Sequence, residues 1–71
     1  MNNYIILNKK KNINKISNIL NDLELKKTFK NKRTEIWEND DLQISIDKSI
    51  IRILIFSNND VEHYKKIITR G

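Results

Sequence analysis

The sequence has no cysteine, no proline and no alanine, and its one glycine is the last residue, Gly71. Without cysteine there is no disulfide framework, no thiolate metal site and no cysteine redox chemistry. With glycine confined to position 71 there is no Gly-rich phosphate loop, and no serine stands in a nucleophile motif. Aromatic residues make up only 7% of the chain, too few for a platform on which successive bases would stack. No apolar run approaches the ~20 residues of a membrane span, and the run from Tyr4 to Leu7 is too short for a signal-peptide core. These absences predict a soluble, cytoplasmic protein with no membrane partner.

Asparagine (11), lysine (11) and isoleucine (14) together supply half of the chain. Their codons are A/T-rich, whereas those of alanine, proline and glycine are G/C-rich. The skew runs through core and surface residues alike, which points to an AT-rich genome. Lysine abundance, and with it the net charge of +5, is therefore weak support for a nucleic-acid partner. The distribution of charge says more. Residues 1 to 33 carry nine Lys/Arg against Asp22 and Glu24, while residues 34 to 71 carry five against seven Asp/Glu. Codon bias does not segregate charge, so a basic face and an acidic face are expected.

Residues 1–71 are expected to form one domain, which at this size buries only about 60% of its unfolded surface around a single core. The strongest pattern lies at 42–56. Leu42, Ile44 and Ile46 alternate with Gln43, Ser45 and Asp47, and the run from Ile50 to Phe56 is almost wholly β-branched or aromatic. A reversal at Asp47-Lys48 makes these an antiparallel hairpin, with Ile44 opposite Ile51 and Leu42 opposite Ile53. A first strand is expected over 4–7 and another over 34–38, with Asn39-Asp40-Asp41 turning the chain. Lys26 to Lys30 reads as a connector or a short, lysine-guarded edge strand.

Two stretches have helical period. Ile13, Ile16, Ile19, Leu20 and Leu23 predict a helix over 12–25 with Asn12 as its N-cap, and Leu25 falls outside the stripe. Val61, Tyr64, Ile67 and Ile68 predict a second, opened by a capping box of Asn59 and Glu62. The order β-α-β-β-β-α, with a further short strand allowed before Thr34, gives an α+β two-layer sandwich. Its sheet is mainly antiparallel and both helices lie on one face.

Four groups of residues are candidates for function. His63, the only histidine, needs an orienting partner and a pocket to act as a general base, and its place beside Glu62 in a short helix offers neither. Asp40-Asp41 and Asp60-x-Glu62-His63 lack the spacing of calcium or zinc ligands and are explained by a turn and a helix cap, so no metal and no cofactor are expected. Lys9, Lys10, Lys11, Lys15, Lys26, Lys27, Lys30, Lys32 and Arg33 form a basic set able to follow a phosphate backbone. Lysine predominates in it where bidentate recognition would favour arginine. Ile50, Arg52, Leu54 and Phe56 point away from the core face of their strand, and Ile36 or Trp37 joins them, with Trp37 the chosen member of the set. In a two-layer fold that face is open, unless the first strand or the 26–30 segment folds over it.

The sequence thus reads as a small non-enzymatic binding protein. Its expected form is a phage or mobile-element inhibitor, of anti-CRISPR or anti-restriction type, that occupies a host protein or nucleoprotein complex handling nucleic acid. Such a protein is expected to bind free nucleic acid only weakly; sequence-nonspecific DNA or RNA binding through the basic face is the alternative, and a small ribonuclease toxin using His63 is the third. Self-association through the outer apolar row would give a two-fold homodimer.

Overall fold

The computed structural model describes residues 3–56 and 60–69. The elements are β1 (Tyr4–Asn8), α1 (Lys9–Asp22), β2 (Lys26–Lys30), β3 (Glu35–Glu38), β4 (Leu42–Ile46), β5 (Ile50–Ile55) and α2 (Val61–Thr69). The strands form one antiparallel sheet in the order β1-β5-β4-β3-β2. The fold is α+β in the expected order, with Lys26 to Lys30 as a fifth, edge strand. No described helix is long and apolar enough to cross a membrane.

Alternation decides which way each strand faces. Leu42, Ile44 and Ile46 of β4 and Ile51, Ile53 and Ile55 of β5 are buried in one cluster with Ile16 and Ile19 of α1 and with Val61, Tyr64 and Ile68 of α2. Both helices therefore cover the same sheet face, which removes both apolar stripes from water.

The central hairpin sits two residues away from the expected register. Ile44 pairs with Ile53 and Leu42 with Ile55. The turn is Lys48-Ser49: Asp47 N–H donates to Ile50 O at 2.8 Å, and Asp47 Oδ1 accepts from Lys48 N. A shift of two preserves every inward and outward assignment, which is why the core was legible without the register.

Helix α1 starts earlier than its apolar stripe. The cap is Asn8, whose Oδ1 accepts from Lys11 N, and not Asn12, whose side chain donates to Asn8 O. Lys9, Lys10 and Lys11 thus form the first turn, at the positive pole of the helix dipole, where cations are unfavourable. At the other end Leu25 N–H donates to Leu20 O and Glu24 N–H to Asn21 O, the paired bonds of a Schellman motif. Glu24 takes the left-handed position at φ 54° that glycine ordinarily fills. Leu25 lies beyond the helical stripe, as expected, and the motif folds it back into the core.

Two reversals use the same device. Asn31 Oδ1 accepts from the amides of Arg33 and Thr34 between β2 and β3, and Asn39 Oδ1 accepts from those of Asp41 and Leu42 between β3 and β4. The Asn59 capping box lies outside the described residues; within α2, Glu62 stands in the first turn and Lys66 in the last, each matching the helix dipole.

Candidate binding surfaces

No described element covers the sheet face opposite the helices. On β5 it carries Ile50, Arg52 and Leu54, with Phe56 just beyond, and on β1 the register places Tyr4 beside Leu54 and Ile6 beside Arg52. Ile6 is 59% exposed, Phe56 49%, Tyr4 40% and Leu54 38%. Across the polar residues Gln43 and Ser45 of β4 lie Ile36 of β3 and then Phe29 of β2, itself 47% exposed. Neither the first strand nor the 26–30 segment folds over this face; they lie at the two edges of the sheet and widen it.

Trp37 does not belong to this surface. It pairs with Ile44, whose side chain is fully buried on the helix side, and is partly buried against the core, while Ile36, opposite Ser45, points outward. The physical reason is the Asn39 turn. Asn39 N–H donates to Leu42 O, fixing a register in which odd positions of β3 share a face with even positions of β4. On the inner side the Trp37 indole donates to Glu35 Oε1 at 3.0 Å, and Lys27 Nζ stands 5.1 Å from the ring centroid and 4.0 Å from Glu35. Tyr4, Ile6 and Phe29 were missed as outer-face residues. The alternation of Tyr4 and Ile6 with Ile5 and Leu7 was the available signal, but which strand β1 would pair with was not.

Charge segregates along the strand direction, end from end, and not between two faces. One end gathers the start of α1, the β2–β3 turn and the β4–β5 turn. Lys9 N–H donates to Ser49 O, and Thr34 Oγ1 donates to Asp47 Oδ1. Lys9, Lys10, Lys11, Lys30, Lys32, Arg33 and Lys48 are therefore neighbours at this end, against Glu35 and Asp47. The opposite end gathers the end of α1, the β3–β4 turn and the start of α2: Asn39 Nδ2 donates to Leu23 O, Phe56 N–H to Asp41 O and Tyr64 Oη to Asp41 Oδ2. Asp22, Glu24, Glu38, Asp40, Asp41, Asp60 and Glu62 meet there, with Lys26 opposite Glu38.

Two members of the expected basic set are thereby separated from the rest. Lys26 is at the acidic end and Lys27 is held over Trp37 on the inner side. Lys15, one turn on from Lys11 along α1, lines the same groove as Lys11 and Ile67 of α2. Lys48 joins the basic end although the sequence pattern gave no reason to include it.

His63 is exposed on α2, its ring meeting the edge of the Tyr64 ring at a centroid distance of 5.3 Å. Tyr64 is buried, and burial first, then its hydrogen bond to Asp41, pushes its phenol up to about 12. A group protonated so far above neutrality is a structural donor and not a proton shuttle at physiological pH. Among the described residues no three His, Cys, Asp or Glu side chains are grouped closely enough to hold a metal ion. The depressions on the surface are open grooves; that between α1 and β3 is lined by Leu20, Leu25 and Trp37.

Comparison with protein-family models, with curated proteins and with solved structures returns no match to this chain.

Proposed function

We propose that this protein is a non-enzymatic binding module that docks onto a larger protein or nucleoprotein partner through the open face of its sheet. One observation carries the reading: Tyr4, Ile6, Leu54 and Phe56 are exposed side by side around Arg52 on a face that no described element covers. Apolar clusters of this kind, with one cation among them, are costly to leave in water and mark interfaces, where aromatic residues and arginine carry most of the binding energy. A partner that handles nucleic acid fits the basic end, which would lie against phosphate or against the acidic surface of a protein that mimics or guards it. In that setting occupation of the surface is itself the activity, as in an inhibitor of phage or mobile-element type that blocks a host complex.

The test is a pair of variants on the open face. Leu54→Glu and Phe56→Glu change exposed side chains and should keep the fold by circular dichroism. Immobilised wild type should retain a partner, identified by mass spectrometry from an AT-rich host, that both variants lose. Equal retention by the variants would remove the open face from the interface.

The clustering of seven cations at one end favours one further reading, direct and sequence-nonspecific binding of DNA or RNA. It predicts binding that needs no partner protein and survives Leu54→Glu.

A further inference from the structure

The two edges of the sheet are built differently. β2 carries Lys26, Lys27 and Lys30 and is interrupted by a bulge at Thr28, the devices by which an edge resists another strand. β1 has neither. It runs Tyr4-Ile5-Ile6-Leu7 without a charge, a proline or a bulge, and its register with β5 is unbroken. Ile55 N–H donates to Asn3 O and Lys9 N–H donates to Ser49 O, so odd-numbered residues of this stretch face β5. By alternation Ile6, at the centre of the strand, directs its N–H and C=O to the open edge. Ile5 and Leu7 point into the core layer yet remain only partly buried, whereas their partners Ile53 and Ile51 are at 0% exposure. Among the described residues no strand pairs with this edge, so the N–H and C=O of Ile6 and the apolar side chains beside them are open on that side.

We infer that β1 pairs antiparallel with β1 of a second copy of this chain, about a two-fold axis at Ile6, giving a continuous ten-stranded sheet. Charge selects this partner and this direction. β1 and β2 run the same way along the sheet, so joining β1 of one copy to β2 of the next would be parallel and would set basic end beside basic end. Joining β2 to β2 would oppose lysines. Antiparallel pairing of β1 with β1 turns one copy end for end, so the basic end of each copy, which begins at Lys9, lies on the same side as the acidic end of the other. The association is isologous and closed, so it stops at two copies and does not grow into a filament. It does not depend on what the open face binds, but it brings two such faces into one surface with Ile6 at its centre.

The chain's lack of cysteine makes the test clean. The wild-type chain of 71 residues should sediment at twice its 8.5 kDa mass. Ile6→Lys places two like charges directly opposite across the axis on an exposed position, and should raise the dissociation constant roughly tenfold or more without loss of helix or strand signal. Ile6→Cys should oxidise to a covalent dimer, because directly opposed residues of an antiparallel pair stand within disulfide reach. Thr28→Cys, on the other edge, should stay monomeric on gels under the same conditions. Added salt should weaken the dimer by screening the paired ends. A monomeric wild type at about 1 mM would overturn the proposal, that concentration being the limit of even weak specific association. So would an Ile6→Lys protein of undiminished mass, or equal cross-linking by Thr28→Cys. Loss of the dimer in Ile6→Lys with the dimer intact in Leu54→Glu separates this edge from the docking face.

Discussion

The Tyr64 hydroxyl donates to Asp41 Oδ2 at 2.7 Å, joining α2 to the β3–β4 turn across 23 residues of sequence. The bond ties the last element of the fold to the reversal that sets the register of β3. Because its acceptor is a carboxylate, Tyr64→Phe should destabilise the protein by about 1 to 3 kcal/mol, read from the midpoint of urea unfolding.

The same pair gives a pH signature. The phenol titrates near 10 when unfolded and near 12 when folded, so its contribution is fully present below pH 10 and fades as pH rises from 10 to 12. Stability of the wild type should fall over that window by more than that of Tyr64→Phe, which lacks this phenol. Parallel curves would place Tyr64 in solvent.

Glu24 occupies a left-handed position at the end of α1 without the backbone freedom of glycine. Glu24→Gly should stabilise the fold by about 0.5 to 1 kcal/mol, since it removes the steric cost while keeping the bonds made by the backbone. A drop in melting temperature would show that the Glu24 side chain contributes more than its conformation costs.

Ile53 lies at the centre of β5 with no exposed surface. Ile53→Ala should cost about 2 to 5 kcal/mol, comparable with the whole stability of a domain this small. The expected melt is broad or shifted far down; a cooperative transition within a few degrees of wild type would take Ile53 out of the core.

The three lysines that open α1 stand against its dipole. Lys10→Glu should raise the melting temperature while weakening any interaction of the basic end with phosphate. If that end grips nucleic acid directly, about six phosphate contacts imply a fall of roughly a thousandfold in affinity between 50 and 200 mM salt. Lys10, Lys32 and Arg33 should then matter by similar amounts, whereas Lys26 should not, since the fold places it at the acidic end. Filter binding across salt concentrations checks both. His63→Ala should leave binding unchanged, and loss of activity in a folded His63→Ala protein would favour the ribonuclease reading.

What the sequence determined by itself was whatever repeats locally. The alternation of Leu42, Ile44 and Ile46, the β-branched run after Ile50 and the helical spacing of Ile16 with Ile19 and of Val61, Tyr64 and Ile68 each name a core face. Those faces are the ones buried, because period alone decides which side chains share a side. Turn chemistry at Asn39 was legible for the same reason: an asparagine bonds amides two and three residues on, whatever the rest of the chain does. What only the tertiary structure decided is which local pieces become neighbours. Pairing β1 with β5 brought Tyr4 and Ile6 beside Leu54 and Arg52, and the strand order sorted the charges to two ends. Each of these depends on contacts between residues far apart in the chain, whose stability comes from burial shared among several elements and leaves no mark in any one of them.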